Sequence, residues 1–281
     1  MGPIFREIEN GIYEIEELGF MSSYLIVGRD RSVIIDTGFG LYDFRELSTK
    51  YTPHEILVIN THIHPDHSNG NRYFMKTSMS QREWENHGIK WNNATKNILI
   101  GSWDPSAMFK IVRLEDKLPS NYSKENYNAF VAQGIPQPDH LWKGNETIDL
   151  GGRSIEIIPT PAHTTGSISI LDHQTGSLFM GDCFAKGAAW YLHLKCHAPL
   201  TDIFNTYATL SGLSGDINRL YPALGEKGLN GDLLKDIDQD IQSIANKEVK
   251  GEKIDHLTGK AIYYQFKGYG VFMPPEELDG H

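Results

Sequence analysis

The sequence predicts an α/β fold of two similar halves, each a run of short strands followed by helices. Short apolar–polar alternations fill the first sixty residues and return near residue 145. Gly and Asp turns separate them, and helical spacing follows each set. Strands then helices, twice over, point to sheet packed on sheet with helices on the outer faces.

Residues 11–16 alternate as a half-buried strand should, and 23–28 and 32–36 follow, joined by the turn signal Gly28-Arg29-Asp30. A turn opens at Asp36-Thr37-Gly38, and 41–50 carries the spacing of a short helix. Residues 55–60 form a continuous β-branched run, the pattern of a strand buried on both faces. The second set reads as strands at 146–150, 153–159, 167–172, 177–180 and 219–221. Helices are expected at 202–213, with Asp202 as cap, and at 230–245. Residues 260–273 close as one or two strands. Residues 76–142 fit neither half. Their aromatics, among them Trp84, Trp91, Trp103, Phe109, Tyr127 and Trp142, suit a satellite core or a lid inserted into a single domain spanning 1–281.

The length, 281 residues, is enough for a sizeable core, and 40% hydrophobic with 22% charged residues is ordinary globular composition. Thirty-six acidic against 26 basic residues give a formal charge of −10, which disfavours nucleic acid as a partner and lacks the polybasic signature of a membrane-surface protein. A small-molecule substrate is the expected partner. No apolar run reaches the roughly 18 to 20 residues of a spanning helix, and residues 1–7 carry no signal-like pattern. Two cysteines, Cys183 and Cys196, suit a reducing compartment and read most simply as small buried residues, so a cytoplasmic location is expected.

Histidine carries the functional signal. Residues His62, His64, Asp66 and His67 fall within six positions at the end of the buried strand. In extended backbone, residues i and i+2 point the same way, so His62 and His64 can present two imidazoles to one ion. Pro65 ends the ladder, and Asp66 and His67 turn toward a point where a second ion could sit. His163, in a loop before a strand, and Asp182, at the end of one, join them as expected ligands. Asp36, ending another strand, reads as a brace for a ligand rather than a ligand.

These motifs, Thr61-His62-Ile63-His64-Pro65-Asp66-His67, then His163 before Thr-Gly-Ser, then Gly181-Asp182, resemble the metallo-β-lactamase superfamily in order from about residue 10 to 225. The resemblance implies an α/β fold, an αββα sandwich of two mixed β-sheets with helices outside, and one or two metal ions at the sheet edge. It gives His62, His64 and His163 to the first ion, Asp66 and His67 to the second, and Asp182 to both. One departure stands out. Where the family carries a further ligand histidine, this chain has Leu224 in Tyr221-Pro222-Ala223-Leu224-Gly225. That weakens the second site, leaves extra water on it, or empties it, unless His193 or His197 substitutes.

The chemistry implied is attack of a metal-bound hydroxide on a polarised carbonyl, with Asp66 orienting the nucleophile or moving its proton. Zinc suits the donor set, with iron or manganese also compatible. A small ester, lactone or thioester is the default substrate, with Trp190, Tyr191, His193 and the 76–142 segment as pocket wall. The rivals are a ligand-binding or regulatory protein with a damaged site, which Leu224 favours, and a di-iron redox protein.

Overall fold

A computed structural model of the chain describes residues 2–88, 118, 120, 122–256 and 258–275. It divides into two compact units: Met1–Trp142 with Leu150–Gly152, and Lys143–Asp149 with Arg153–His281.

The first unit is one seven-stranded sheet in chain order, β1 (Ile4–Glu9), β2 (Ile12–Glu17), β3 (Met21–Val27), β4 (Ser32–Ile35), β5 (Ile56–Ile59), β6 (Thr77–Ser80) and β7 (His140–Trp142). β1 to β4 form an antiparallel meander, and β4 to β7 run parallel. Helix α1 (Phe44–Ser48) connects β4 to β5, and its N-cap Asp43 accepts the Glu46 N–H at 2.9 Å. Ile15, Leu25, Ile34, Phe44, Ile56 and Val58 cluster as a core. Residues 150–152 join this unit by docking on the β3–β4 turn. The Asp30 N–H donates to the Leu150 carbonyl at 3.0 Å, and a Cβ at Gly28 would stand 2.2 Å from that oxygen.

β6 and β7 show that the two ends of the 76–142 segment belong to the first sheet, where the sequence reading placed them in neither half; strands of four and three residues show no alternation to reveal it. The described interior of the segment supplies satellite core. Trp84 is buried with Ile63, Met79 and Ile135. From helix α4 (Lys124–Val131), with α2 (Pro65–Ser68) and α3 (Gln81–Glu83) preceding it, Tyr127 donates its hydroxyl to the Phe39 carbonyl at 2.9 Å. Trp91, Trp103 and Phe109, the aromatics that suggested a lid, lie outside the described residues.

The second unit holds two sheets. One runs β14 (Leu229–Asn230), β13 (Arg219–Pro222), β11 (Ser177–Gly181), β10 (Ile168–Asp172), β9 (Ser154–Pro159), β8 (Thr147–Asp149). The other runs β12 (Trp190–Tyr191), β17 (Tyr269–Met273), β16 (Gly259–Phe266), β15 (Glu252–His256). β10 and β11 are buried throughout, and helices α5 (Leu200–Gly212) and α6 (Leu233–Ala245) contribute Ile203, Tyr207, Ile237 and Ile241 to the core. The cap of α5 is Pro199 rather than Asp202, which lies in the first turn, where a carboxylate suits the positive end of the helix dipole. No helix among the described residues is long and apolar enough to cross a membrane.

Candidate metal centre

In the first unit, β5 delivers the chain into Asn60, Thr61 and His62, all at most 1% exposed. His64 stands at the N-cap of α2, and Pro65 fills the first helical position, where its missing N–H costs nothing. Past the end of β5, Nε2 of the His62 ring lies within 3.1 Å of Nδ1 of His64.

Asp36 organises this set. Its Oδ1 accepts the Thr61 N–H at 2.8 Å, and its Oδ2 accepts the Thr61 hydroxyl at 2.8 Å and His67 Nδ1 at 2.7 Å. Asp36 has φ +61°, a left-handed conformation rare outside glycine, and such strain persists where the surroundings enforce it. Asn60 and Asn71 exchange amide hydrogen bonds, and Asn60 Nδ2 and the Thr37 N–H both reach the His67 carbonyl. Gly70 permits this closeness, since a Cβ there would lie 2.2 Å from the Thr37 carbonyl oxygen. Glu83 Oε1 accepts the Ile63 N–H at 3.1 Å and fixes the link between the two histidines.

The hydrogen-bond pattern sets the ring tautomers. With its proton on Asp36, the Thr61 hydroxyl takes the His62 Nδ1–H at 3.1 Å, so the Nε2 lone pair of His62 faces His64. His67, donating Nδ1–H to Asp36, turns its Nε2 lone pair toward Asp66, whose Oδ2 lies 3.7 Å away. Two ring nitrogens at 3.1 Å repel unless a proton or a cation lies between them. Two imidazoles on one tetrahedral ion at 2.0–2.1 Å stand about 3.3 Å apart. The donor set of this unit therefore fits a divalent metal, with Asp36 as the carboxylate that orients a ligating ring.

In the second unit, His163 follows β9 in a loop fixed by Thr164 and Ser167, whose hydroxyls lie 2.7 Å apart. Its Nδ1 donates to the Tyr191 carbonyl at 2.6 Å, which leaves the Nε2 lone pair 3.6 Å from Asp182 Oδ2. Asp182 itself follows β11, at a corner where Gly181 has φ +52°. An oriented imidazole beside a carboxylate is again a ligand-type pair.

Residues 17–90 and 108–251 match the model of the metallo-beta-lactamase superfamily. The chain belongs to this superfamily. It is 26% identical over 200 residues to the human acyl-coenzyme A thioesterase MBLAC2, covering 65% of this chain and 67% of that protein. It is 27% identical to the probable metallo-hydrolase MJ0888 of Methanocaldococcus jannaschii, covering 77% and 94%. A 162-residue stretch is 28% identical to hydroxyacylglutathione hydrolase of Hyphomonas neptunium, covering 57% and 46%. Among solved structures, a metallo-beta-lactamase from Pontibacter korlensis aligns at 17% identity with TM-score 0.58, covering 85% of this chain and 99% of that one. The sec-alkylsulfatase Pisa1 from Pseudomonas aligns at 16% identity with TM-score 0.62, covering 87% and 42%. The fold is that of the metallo-β-lactamases, α/β with mixed sheets, and the chain is a hydrolase of that fold.

Within this metallo-β-lactamase-fold hydrolase, the residues expected at the pocket wall separate. Trp190 is 1% exposed, enclosed by Phe184, Tyr207 and Tyr269, and is a core residue of the second unit, so its indole offers no wall. The apolar pattern could not tell a core indole from a pocket one. Tyr191 is half-buried and joins a ring cluster with His193, His256 and Phe272. His193 Nε2 is taken by the Thr258 hydroxyl at 2.8 Å, and His197 Nδ1 donates to the Ala198 carbonyl at 2.7 Å. Leu224 packs against the second unit's core, next to Ala223, whose N–H donates to the Gly181 carbonyl at 2.9 Å. Cys183 is buried, its thiol pushed up to about 12 chiefly by burial, which makes it inert.

Sequence reading missed Asn60, Asn71, Glu83 and Glu17. The first two were visible only as polar residues at either end of the ligand motif. Glu17 is buried, and burial pushes its carboxyl up to about 8, with the Asp66 charge adding to the rise and the Phe39 N–H opposing it. The ordinary value is 4.5, so the folded state holds this proton more tightly than the unfolded chain. The stabilisation is complete below the unfolded pKa and is lost as pH rises through the folded one. Chelator-treated protein is expected to melt at steadily lower temperature from about pH 5 to about pH 8, and Glu17→Gln to flatten that slope. Thermal melts across this range check it; equal slopes in both proteins would refute it.

Proposed function

We propose that this hydrolase cleaves small acyl thioesters with zinc, with His62, His64 and His163 on one ion, Asp66 and His67 on a second, and Asp182 on both. The observation that carries this reading is the Asp36–His67 and His62–His64 geometry in a chain of this family. A bound divalent ion lowers the pKa of water toward neutrality and polarises the acyl oxygen.

The chain's own residues then have defined tasks. Asp36 and the Tyr191 carbonyl hold Nδ1–H of His67 and His163, keeping both Nε2 lone pairs outward. Asp66, in the first turn of α2, takes the proton of the attacking water and carries it toward the leaving group. Thioesters suit this chain better than amides. A thiolate, with a parent pKa of about 8.5, leaves with less help than an amine, so the loss of one ligand at Leu224 costs least there. The names of the human and Hyphomonas relatives, which specify acyl-coenzyme A and hydroxyacylglutathione, support the same class. Cys183 and Cys196 are not disulfide-linked, which suits a reducing compartment such as the cytoplasm.

The deciding assay offers acyl-coenzyme A and acylglutathione thioesters beside a matched ester, a lactone and a phosphodiester. Thioester turnover that a chelator abolishes and zinc restores is the expected result. Turnover of the phosphodiester alone would overturn the proposal.

Leu224 gives a separate prediction. Leu224→His is expected to raise bound zinc per chain toward two and tighten the weaker ion, read by elemental analysis and calorimetry. Unchanged stoichiometry would show that this position is not the missing ligand.

A further inference from the structure

The carboxyl of Glu17, at the end of β2, serves none of these roles, yet it is 1% exposed. A buried carboxyl without a cation must be held by hydrogen-bond donors. Here a backbone amide of the loop that begins at Asp36 holds one of its oxygens: Oε2 accepts the Phe39 N–H at 2.8 Å, while Oε1 has no hydrogen-bond partner among the described residues. A Cβ at Gly38 would stand 2.3 Å from Oε2, so only glycine lets the loop close on it. The loop's carbonyls are held from other elements. Tyr127 donates to Phe39 O at 2.9 Å, and Tyr73 donates to Gly40 O at 3.1 Å. At the head of the same loop stands Asp36 in its left-handed conformation, gripping His67 Nδ1 at 2.7 Å.

We propose that Glu17 is a positioning residue of the metal centre: by accepting the Phe39 amide it fixes the loop that holds Asp36, and through Asp36 it sets the ring of His67. The inference rests on the reading of His67 as an ion ligand. Sequence spacing gives no hint of it, because Glu17 lies far along the chain from both residues it aligns. The role needs an acceptor oxygen at one point, not a charge, so Gln serves and an apolar residue of equal size does not.

The test uses the full chain, zinc-loaded and labelled with 15N-histidine, with Glu17→Gln, Glu17→Met and Glu17→Asp. Glu17→Gln is expected to keep the hydrogen-bonded His67 Nδ1–H signal and zinc affinity within about twofold of wild type. Glu17→Met removes the acceptor at similar volume, and Glu17→Asp withdraws it by one methylene. Both are expected to shift or broaden that signal and to weaken zinc binding by up to about 10-fold, the low end of the range for losing a ligand's orienting partner, because Glu17 acts through Asp36. Where turnover is measurable, kcat should fall with KM unchanged.

A folded Glu17→Met protein with the wild-type His67 signal and affinity would overturn the proposal, as would Glu17→Gln damaged to the same degree. Should Met and Asp variants fail to fold, amide exchange in the wild type decides. A Phe39 amide as slow as sheet amides upholds the clamp, and exchange at solvent rates overturns it. The NMR and zinc readings need no turnover, so a failed thioesterase assay and a failed clamp remain distinguishable.

Discussion

Replacing His62 with Ala is expected to abolish the proposed zinc-dependent turnover, by at least about a thousandfold, because on that reading His62 is a ligand of the ion that would activate water and polarise the acyl oxygen. The His62 ring is buried, and its Nδ1 is spent on Thr61 while Nε2 faces His64. Alanine leaves His64 without that neighbour. Bound zinc per chain should fall with the rate, and Thr61, still bonded to Asp36 by backbone and hydroxyl, should keep the strand end in place. Elemental analysis, kinetics and a thermal melt check the three parts. A variant that loses zinc but keeps its turnover would show that the reaction does not use this centre.

Asp36→Asn carries the second large effect, through orientation instead of ligation. Asparagine tolerates the φ of +61° at this position better than most residues, so the backbone should survive. One amide oxygen can still take the Thr61 N–H. The amide nitrogen then faces both the Thr61 hydroxyl and His67 Nδ1, and two donors meet where donor and acceptor stood. His67 must change tautomer or turn, and the ion proposed to bind there should be held about 10- to 100-fold more weakly. Asp36→Ala should be worse for folding. It strands the Thr61 N–H, the Thr61 hydroxyl and the His67 N–H in a buried site, at about 1–3 kcal/mol each. Zinc competition and melting temperature separate the variants: Asn should lose mainly affinity, Ala both. Equal zinc affinity in Asp36→Asn and wild type would remove Asp36 from its bracing role.

How far the sequence could be read follows from which interactions are local. The strand at 55–60 and the residues after it were legible because burial on both faces leaves a continuous apolar run and because i, i+2 spacing already fixes where two imidazoles point. The hairpin at 260–273 was legible for the same reason: alternation within one strand is a property of the strand. β6, β7, β12 and β15 were not, because none of them carries a continuous apolar run or a sustained alternation, and the partners of β7 and β12 lie far along the chain.

By itself, then, the sequence determined the α/β class, the clustering of imidazole and carboxylate donors and the pairing of His62 with His64, all from periods of two to four residues. Tertiary structure alone decided that Asp36 meets His67, that Glu17 lies under the loop at Phe39, that Trp190 is enclosed in the second unit's core, and that Leu224 packs on that core beside the corner at Gly181. Each of these depends on chain segments distant in sequence meeting at hydrogen-bond or van der Waals distance, and side-chain periodicity carries no information about which segments those are.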